Sequence, residues 1–143
     1  MLMDFSAEEI SSDGGVLLLE KIERESNLLK DFSQFIPDNR LAPLVKHSRE
    51  KQLKQRVFLL LQGYEDANDV EHLCHDPLCK DILEGDLASQ PTISRFENSL
   101  SKRSIFDLCY AWIDRYVDSI AGRKSIVIDV DATDDPTYGK QQL

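Results

Sequence analysis

The chain has 143 residues, 41% hydrophobic and 30% charged, with a net charge of −9; it can build one domain with its own core and falls outside the disordered regime. No apolar run approaches the roughly 18 residues that span a bilayer, and the opening MLMDFSAEEISSDGG lacks the basic-then-apolar order of a secretory signal. The expected compartment is therefore the cytoplasm, without a membrane partner and with Cys74, Cys79 and Cys109 as free thiols.

An acidic total argues against a nucleic-acid partner, but its distribution weakens the objection. Residues 41–63 carry +4 and residues 91–128 carry +2, with acidic segments on either side. A local phosphate-binding face is compatible with that pattern.

Ser11, Ser12 and Asp13 offer capping oxygens ahead of GGVLLLEKIERES, whose apolar spacing predicts a helix over residues 14–26. A shorter helix over residues 28–35 must stop before Pro37. Ser48 then caps a long helix, REKQLKQRVFLLLQG, which Gly63 ends. Its first turns carry Arg49, Lys51, Lys54 and Arg56; its second half is apolar nearly all round and belongs in a core. The basic half is either a solvated face or a phosphate-contacting one.

Asn68 or Asp69 can cap a short helix ending at His75, and Asp76-Pro77 restarts another that runs to about Gly85. Pro91 opens a third, reaching about Leu100. Short helices joined by a tight turn, the second beginning Gln-Pro-Thr-Ile-Ser-Arg, read as a helix-turn-helix candidate. Gln90, Thr92, Ser94 and Arg95 are residue types that reach phosphates and base edges from a helix N-terminus. The last helix starts at Lys102 or Arg103 and ends at Gly122. Its stripe of Ile105, Leu108, Cys109, Trp112, Ile113, Tyr116, Val117 and Ile120 predicts packing against a sheet or another helix.

Residues 125–130, SIVIDV, predict a buried strand that runs into Asp129, Asp131, Asp134 and Asp135 before a Pro136–Gly139 turn. Asp129 and Asp131 would share one strand face, an arrangement suited to Mg²⁺. The alternative is an ordinary acidic turn. His72, Cys74, His75 and Cys79 invite a zinc reading, but their spacing lacks a paired second half and Pro77 interrupts the helix. Buried thiols and surface histidines account for them better.

The Asp cluster admits two chemistries. One is metal-dependent phosphoryl transfer on nucleic acid. The other follows a likeness of Asp129-x-Asp131-x-Thr133 to the first motif of haloacid-dehalogenase-like phosphatases, with Asp129 as nucleophile and Asp131 as acid/base. In that family much sequence follows the motif, whereas here ten residues follow Thr133.

DGGVLLLEKI, LKQRVFLLLQGYEDAND, His75-Asp76-Pro77, LASQPTISRFEN and IDVDATDDPTYGKQQ, in this order, resemble the N-terminal part of a DDE transposase from a bacterial insertion sequence. The resemblance implies a mainly α-helical region, residues 1–122, with a helix-turn-helix-like pair that recognises the inverted-repeat DNA ends of the element. It further implies that residues 123–143 begin an RNase-H-like α/β domain, their strand being its first. Asp131 would be the first Asp of the catalytic triad and a ligand of Mg²⁺ or Mn²⁺, with Asp129 in reserve. Arg49, Lys51, Lys54, Arg56, Gln90, Thr92, Ser94 and Arg95 would contact DNA, and a second transposase protomer is a possible partner. The second Asp and the Glu of the triad have no counterpart in the chain, so the expectation is a truncated, catalytically inactive fragment that could still bind ends or inhibit transposition.

Overall fold

The computed structural model describes residue 11 and residues 13–130. The architecture there is helical: α1 Val16–Ser26, α2 Leu28–Ser33, α3 Arg49–Leu61, α4 Val70–Leu73, α5 Pro77–Ile82, α6 Gln90–Asn98 and α7 Lys102–Ser119. Single 3-10 turns at Ala42–Leu44 and Ala67–Asp69 sit before α3 and α4.

Local chemistry fixes the ends. Ser48, Asp76 and Ser101 each accept a hydrogen bond from the third residue onward, Lys51 N at 3.2 Å, Cys79 N at 2.9 Å and Ser104 N at 3.0 Å, so three helices start on capping side chains. Ahead of α4 the cap is Asp66, in a reciprocal box with Asp69. Between α1 and α2 the chain turns at Asn27, in the left-handed region at φ 51°. Glu23 of α1 then caps α2, its carboxylate accepting from Leu29 N at 2.9 Å and Lys30 N at 3.1 Å. Gly63, at φ 90°, ends α3 in a Schellman turn: Tyr64 N bonds Leu59 O and Gly63 N bonds Leu60 O.

Helix α3 is the centre of the fold. Its Phe58 joins Val16, Leu29 and Ile82 in one buried cluster, while its neighbour Leu59 joins Val70, Leu73, Cys79, Leu83, Leu87, Ala88 and Ile93 in another. Adjacent residues on a helix point about 100° apart, so one helix can serve two cores. The apolar second half of α3 is buried on one face only: Phe58 and Leu59 are in the core and Val57 is half-buried, whereas Leu60 and Leu61, which the apolar run also placed in a core, are exposed because no element packs over that side of the helix among the described residues. Cys79 lies within the larger cluster, where burial, aided by the Asp76 charge, pushes its thiol up to about 12.

Two expectations meet a different arrangement. The connection from α5 to α6 is not a tight turn: residues 83–89 separate the helices, where a helix-turn-helix uses about three or four. That stretch is held in place, because Leu83, Leu87 and Ala88 are themselves core residues. Secondly, the apolar stripe of α7 is exposed. Ser104 is the buried residue of this helix among the described residues; of the stripe, Trp112, Ile113, Tyr116 and Val117 each keep more than half their surface in solvent, while Leu108 and Ile120 are half-buried. Periodicity identifies an apolar face without naming what covers it.

Residues 125–130 lie outside any helix and enter no strand pairing among the described residues. Ile126, Val127, Ile128 and Val130 are exposed. The rest of the acidic segment, including Asp131, Thr133, Asp134, Asp135 and the Pro136–Gly139 turn, lies outside the described residues.

Candidate nucleic-acid interface

A cleft of about 680 Å³ opens between the loop leading into α3, the first turns of α3 and the start of α6. One wall carries Arg40, Lys46, His47 and Arg49; the other carries Ser89, Thr92, Arg95 and Ser99. No Asp or Glu lines it among the described residues. In a chain of net charge −9, four basic side chains, Arg40, Lys46, Arg49 and Arg95, thus meet on one concave surface.

The cations differ in how far they are already neutralised. Arg40 is doubly bonded to Asp38, Nε–Oδ1 and Nη2–Oδ2 both at 2.6 Å, and that pairing holds the Asp38 carboxyl at about 2. Lys46 makes a loose pair with Asp86 at 3.3 Å across exposed surface, which contributes little. Arg49 lies over the Phe96 ring at 5.5 Å and is far from fully paired, its Nε being 3.9 Å from Asp38. Burial, together with the Arg40 charge, pulls the Arg49 guanidinium below its ordinary value, so an anion entering the cleft would relieve it. Arg95 is exposed, touches Thr92 Oγ1 at 3.4 Å and makes no ion pair among the described residues. The Thr92 hydroxyl also meets Ser89 Oγ at 3.0 Å. His47 sits at the rim with its pKa lowered, first by burial and then by Lys46 and Lys51.

The residues singled out in the sequence thus separate into two groups. Arg49, Thr92 and Arg95 come together in the cleft, and Gln90 is in the first turn of α6 beside it. Lys51 reaches away, to the Glu84 carbonyl at 3.2 Å and its carboxylate at 3.8 Å. Lys54 is committed to Glu20 on α1 at 2.6 Å and lies over the Phe58 ring at 5.5 Å. Arg56 is bound to Glu97 at 2.5 Å and to the Glu65 carbonyl at 2.8 Å. Asn98 Nδ2 donates to the Ser94 carbonyl at 2.8 Å. Arg40, Lys46 and His47 went unnoticed in the sequence because they precede the helix; the loop charge just upstream of Ser48 was the available signal.

A buried amide fixes the second wall. Gln55 Nε2 donates to the Ala88 carbonyl at 2.9 Å, and Ala88 N donates to Gln55 Oε1 at 2.8 Å. The chain entering α6 is thereby pinned to α3 by the same kind of paired bonds that join two strands.

The family model described as transposase DDE domain, group 1, matches residues 1–143. The chain belongs to the DDE transposases. No curated protein and no solved structure matches it. DDE transposases as a family act on DNA and generally use divalent metal ions. The described part of this transposase does not assemble a metal site: no group of three or more His, Cys, Asp or Glu side chains is poised to hold an ion there, and Asp129 is exposed at its end. No described helix is long and apolar enough to cross a membrane.

Proposed function

We propose that this helical region of the transposase grips duplex DNA at the ends of its element, with the phosphate backbone seated in the cleft between α3 and α6. The observation that carries this reading is the cleft's lining, in which arginine, lysine and histidine from three separate segments converge with no carboxylate among the lining residues, Asp38 and Asp86 engaging Arg40 and Lys46 from outside it. Phosphate contacts position a protein on DNA and supply most of its salt-sensitive affinity. Arg49 and Arg95 are the two arms for phosphate, Thr92 and Ser89 supply hydroxyl donors, and the N-terminus of α6 adds the positive end of a helix dipole. Gln90 and Ser94, on the same helix, are the candidates for base-edge contact. The pair α5–α6 works here as a helix-turn-helix variant with a lengthened, core-anchored connection.

In this reading Lys54 and Arg56 support the fold, and Lys51 is peripheral. Asp131, with Asp129 in reserve, opens the catalytic centre; the Asp-x-Thr spacing is what supports that assignment, and the metal ions would be Mg²⁺ or Mn²⁺. Fluorescence anisotropy with duplexes carrying the inverted repeats that border the gene, against scrambled duplexes of equal length, tests the binding. Specific, salt-sensitive binding that falls on Arg95→Ala is expected; equal binding to both duplexes at physiological salt would remove the end-recognition reading.

A further inference from the structure

Between the buried Ile36 and the start of α3 the chain makes a loop whose tip is apolar and bare. Leu41, Ala42, Pro43 and Leu44 follow one another and all are exposed, Leu41 to 73% and Leu44 to 79%. A run of exposed apolar residues works against solubility and is kept where it serves a contact. The loop is also braced. At its base Arg40 donates to both oxygens of Asp38 at 2.6 Å and, through Nη2, to the His47 carbonyl at 3.0 Å. At its tip Leu44 N bonds Leu41 O at 2.9 Å and Val45 N bonds Ala42 O at 3.2 Å, with Pro43 inside the turn. Bracing at both ends presents the two leucines to solvent and lowers the entropy lost when they are covered.

The position of this turn says what covers it. Leu44 lines the cleft on the side of Arg40, Lys46 and His47, opposite Ser89, Thr92 and Arg95. Of the charges near the tip, Arg40 is bound to Asp38, Lys46 is loosely paired with Asp86, and Lys51 lies 3.8 Å from Glu84. Glu50 lines a separate hollow with Lys51 and Glu84. That leaves Arg95, which makes no ion pair among the described residues, and Arg49, no closer than 3.9 Å to Asp38, to meet an anion in the cleft. Bare leucines beside two such guanidinium groups suit a nucleic acid, whose backbone is anionic and whose base faces are apolar.

The reading of the cleft as a DNA seat then fixes the groove. Each backbone of a duplex separates the major groove from the minor one. With a backbone in the cleft and the start of α6 on the side of the major groove, which is wide enough for a helix, the opposite lip meets the minor groove. Leucine and proline are among the side chains that wedge between base steps from there.

We propose that the Leu41–Leu44 turn is an apolar wedge that enters the minor groove beside the seated backbone, opens one base step and kinks the end of the element. Leu44 leads, Leu41 supports it, and Pro43 stiffens the turn between them. This rests on the DNA reading of the cleft and adds a distortion of the duplex that phosphate contacts alone do not supply.

The test titrates the full chain onto inverted-repeat duplexes carrying the fluorescent base analogue aminopurine at successive positions; its emission rises when it loses a stacked neighbour. A rise confined to one step is expected. The double variant Leu41→Ser with Leu44→Ser should abolish the rise and weaken binding about tenfold, while keeping the wild-type salt slope because no phosphate contact is lost. Its circular dichroism and urea midpoint should match wild type, since both leucines are already in solvent. A mismatch placed at the opened step should tighten binding of wild type and not of the variant. Specific binding with no aminopurine rise, or a double variant that binds and reports like wild type, overturns the wedge and leaves the DNA reading standing. A double variant that unfolds more readily also overturns it, the leucines then being structural. A wild-type chain that does not distinguish the repeats from scrambled duplexes defeats the DNA reading itself, and the wedge with it.

Discussion

Gln55 and Ala88 are joined by two hydrogen bonds of 2.9 and 2.8 Å, side-chain amide to backbone, with Gln55 3% exposed and Ala88 fully buried. Replacing Gln55 by Leu or Ala strands a backbone N–H and C=O in the core, at about 1–3 kcal/mol for each group. The expected loss is roughly 2–4 kcal/mol in urea unfolding, with DNA affinity falling beyond the stability effect because the second wall of the cleft is released. A Gln55→Leu protein as stable as wild type would show that the pairing contributes nothing.

Lys54 and Glu20 form an ion pair with side chains only 18% and 10% exposed. Burial opposes the Glu20 charge, but hydrogen bonds from Lys54 and Arg24 outweigh it and hold the carboxyl below its ordinary value of 4.5. A carboxyl depressed in the folded state adds stability that is complete above its unfolded pKa and is lost as the pH falls through the folded one. Lys54→Met should therefore cost about 2–3 kcal/mol at neutral pH and distinctly less once Glu20 is protonated. Unfolding curves at pH 7 and near pH 3 check this; an equal loss at both would separate the Lys54 effect from Glu20. Asp38, held at about 2 by Arg40, is a second depressed carboxyl whose contribution is lost as the pH falls toward that value.

Arg95 and Arg49 should differ in how they affect DNA binding. Arg95 is exposed and unburdened by a carboxylate among the described residues, so Arg95→Ala should lower affinity, reduce the salt slope by about one unit and leave thermal stability within about 0.5 kcal/mol. Arg49 stacks on Phe96, so Arg49→Lys should weaken binding and also destabilise the fold, since an ammonium cannot reproduce the planar contact. Titrations between low and physiological salt, paired with melting curves, distinguish the two.

His47 gives the cleft a pH response. Its lowered pKa, set by burial and by Lys46, Lys51 and Arg40 against the single favourable charge of Asp86, leaves the ring neutral at pH 7. Phosphate would favour the imidazolium, so DNA affinity should rise as the pH falls from about 7.5 to about 5.5, and His47→Ala should flatten the rise. In the free protein the sign reverses: a depressed histidine binds its proton more readily unfolded, so stability declines as the pH drops below the ordinary 6.5. Binding isotherms and unfolding curves over the same range should move in opposite directions.

Helix starts were legible where a capping residue declared them, as at Ser48 and Asp76, because a cap is local chemistry. The apolar run of α3 made Phe58 and Leu59 legible as core but gave no sign that Leu60 and Leu61 would stay at the surface. The work of Lys54 and Arg56 was not: a lysine satisfied by Glu20 on another helix looks the same in sequence as one free to meet phosphate. Glutamine is a residue type usually found at the surface, yet Gln52 and Gln55 are 2% and 3% exposed, since their partners are fixed only by the tertiary fold. On α7 the pattern gave the apolar stripe and its direction, and stopped there.

The division of α3 has an evolutionary corollary. Its early turns face the cleft while Phe58 and Leu59 knit together both cores, so substitutions there that retune end preference also perturb folding. Helix α6 offers freer ground, with Arg95 and Asn98 exposed on a scaffold anchored from beneath by Ile93 and Phe96. Divergent copies of this element should acquire new end sequences by drift on α6 first, with α3 changing late and only alongside compensating repairs.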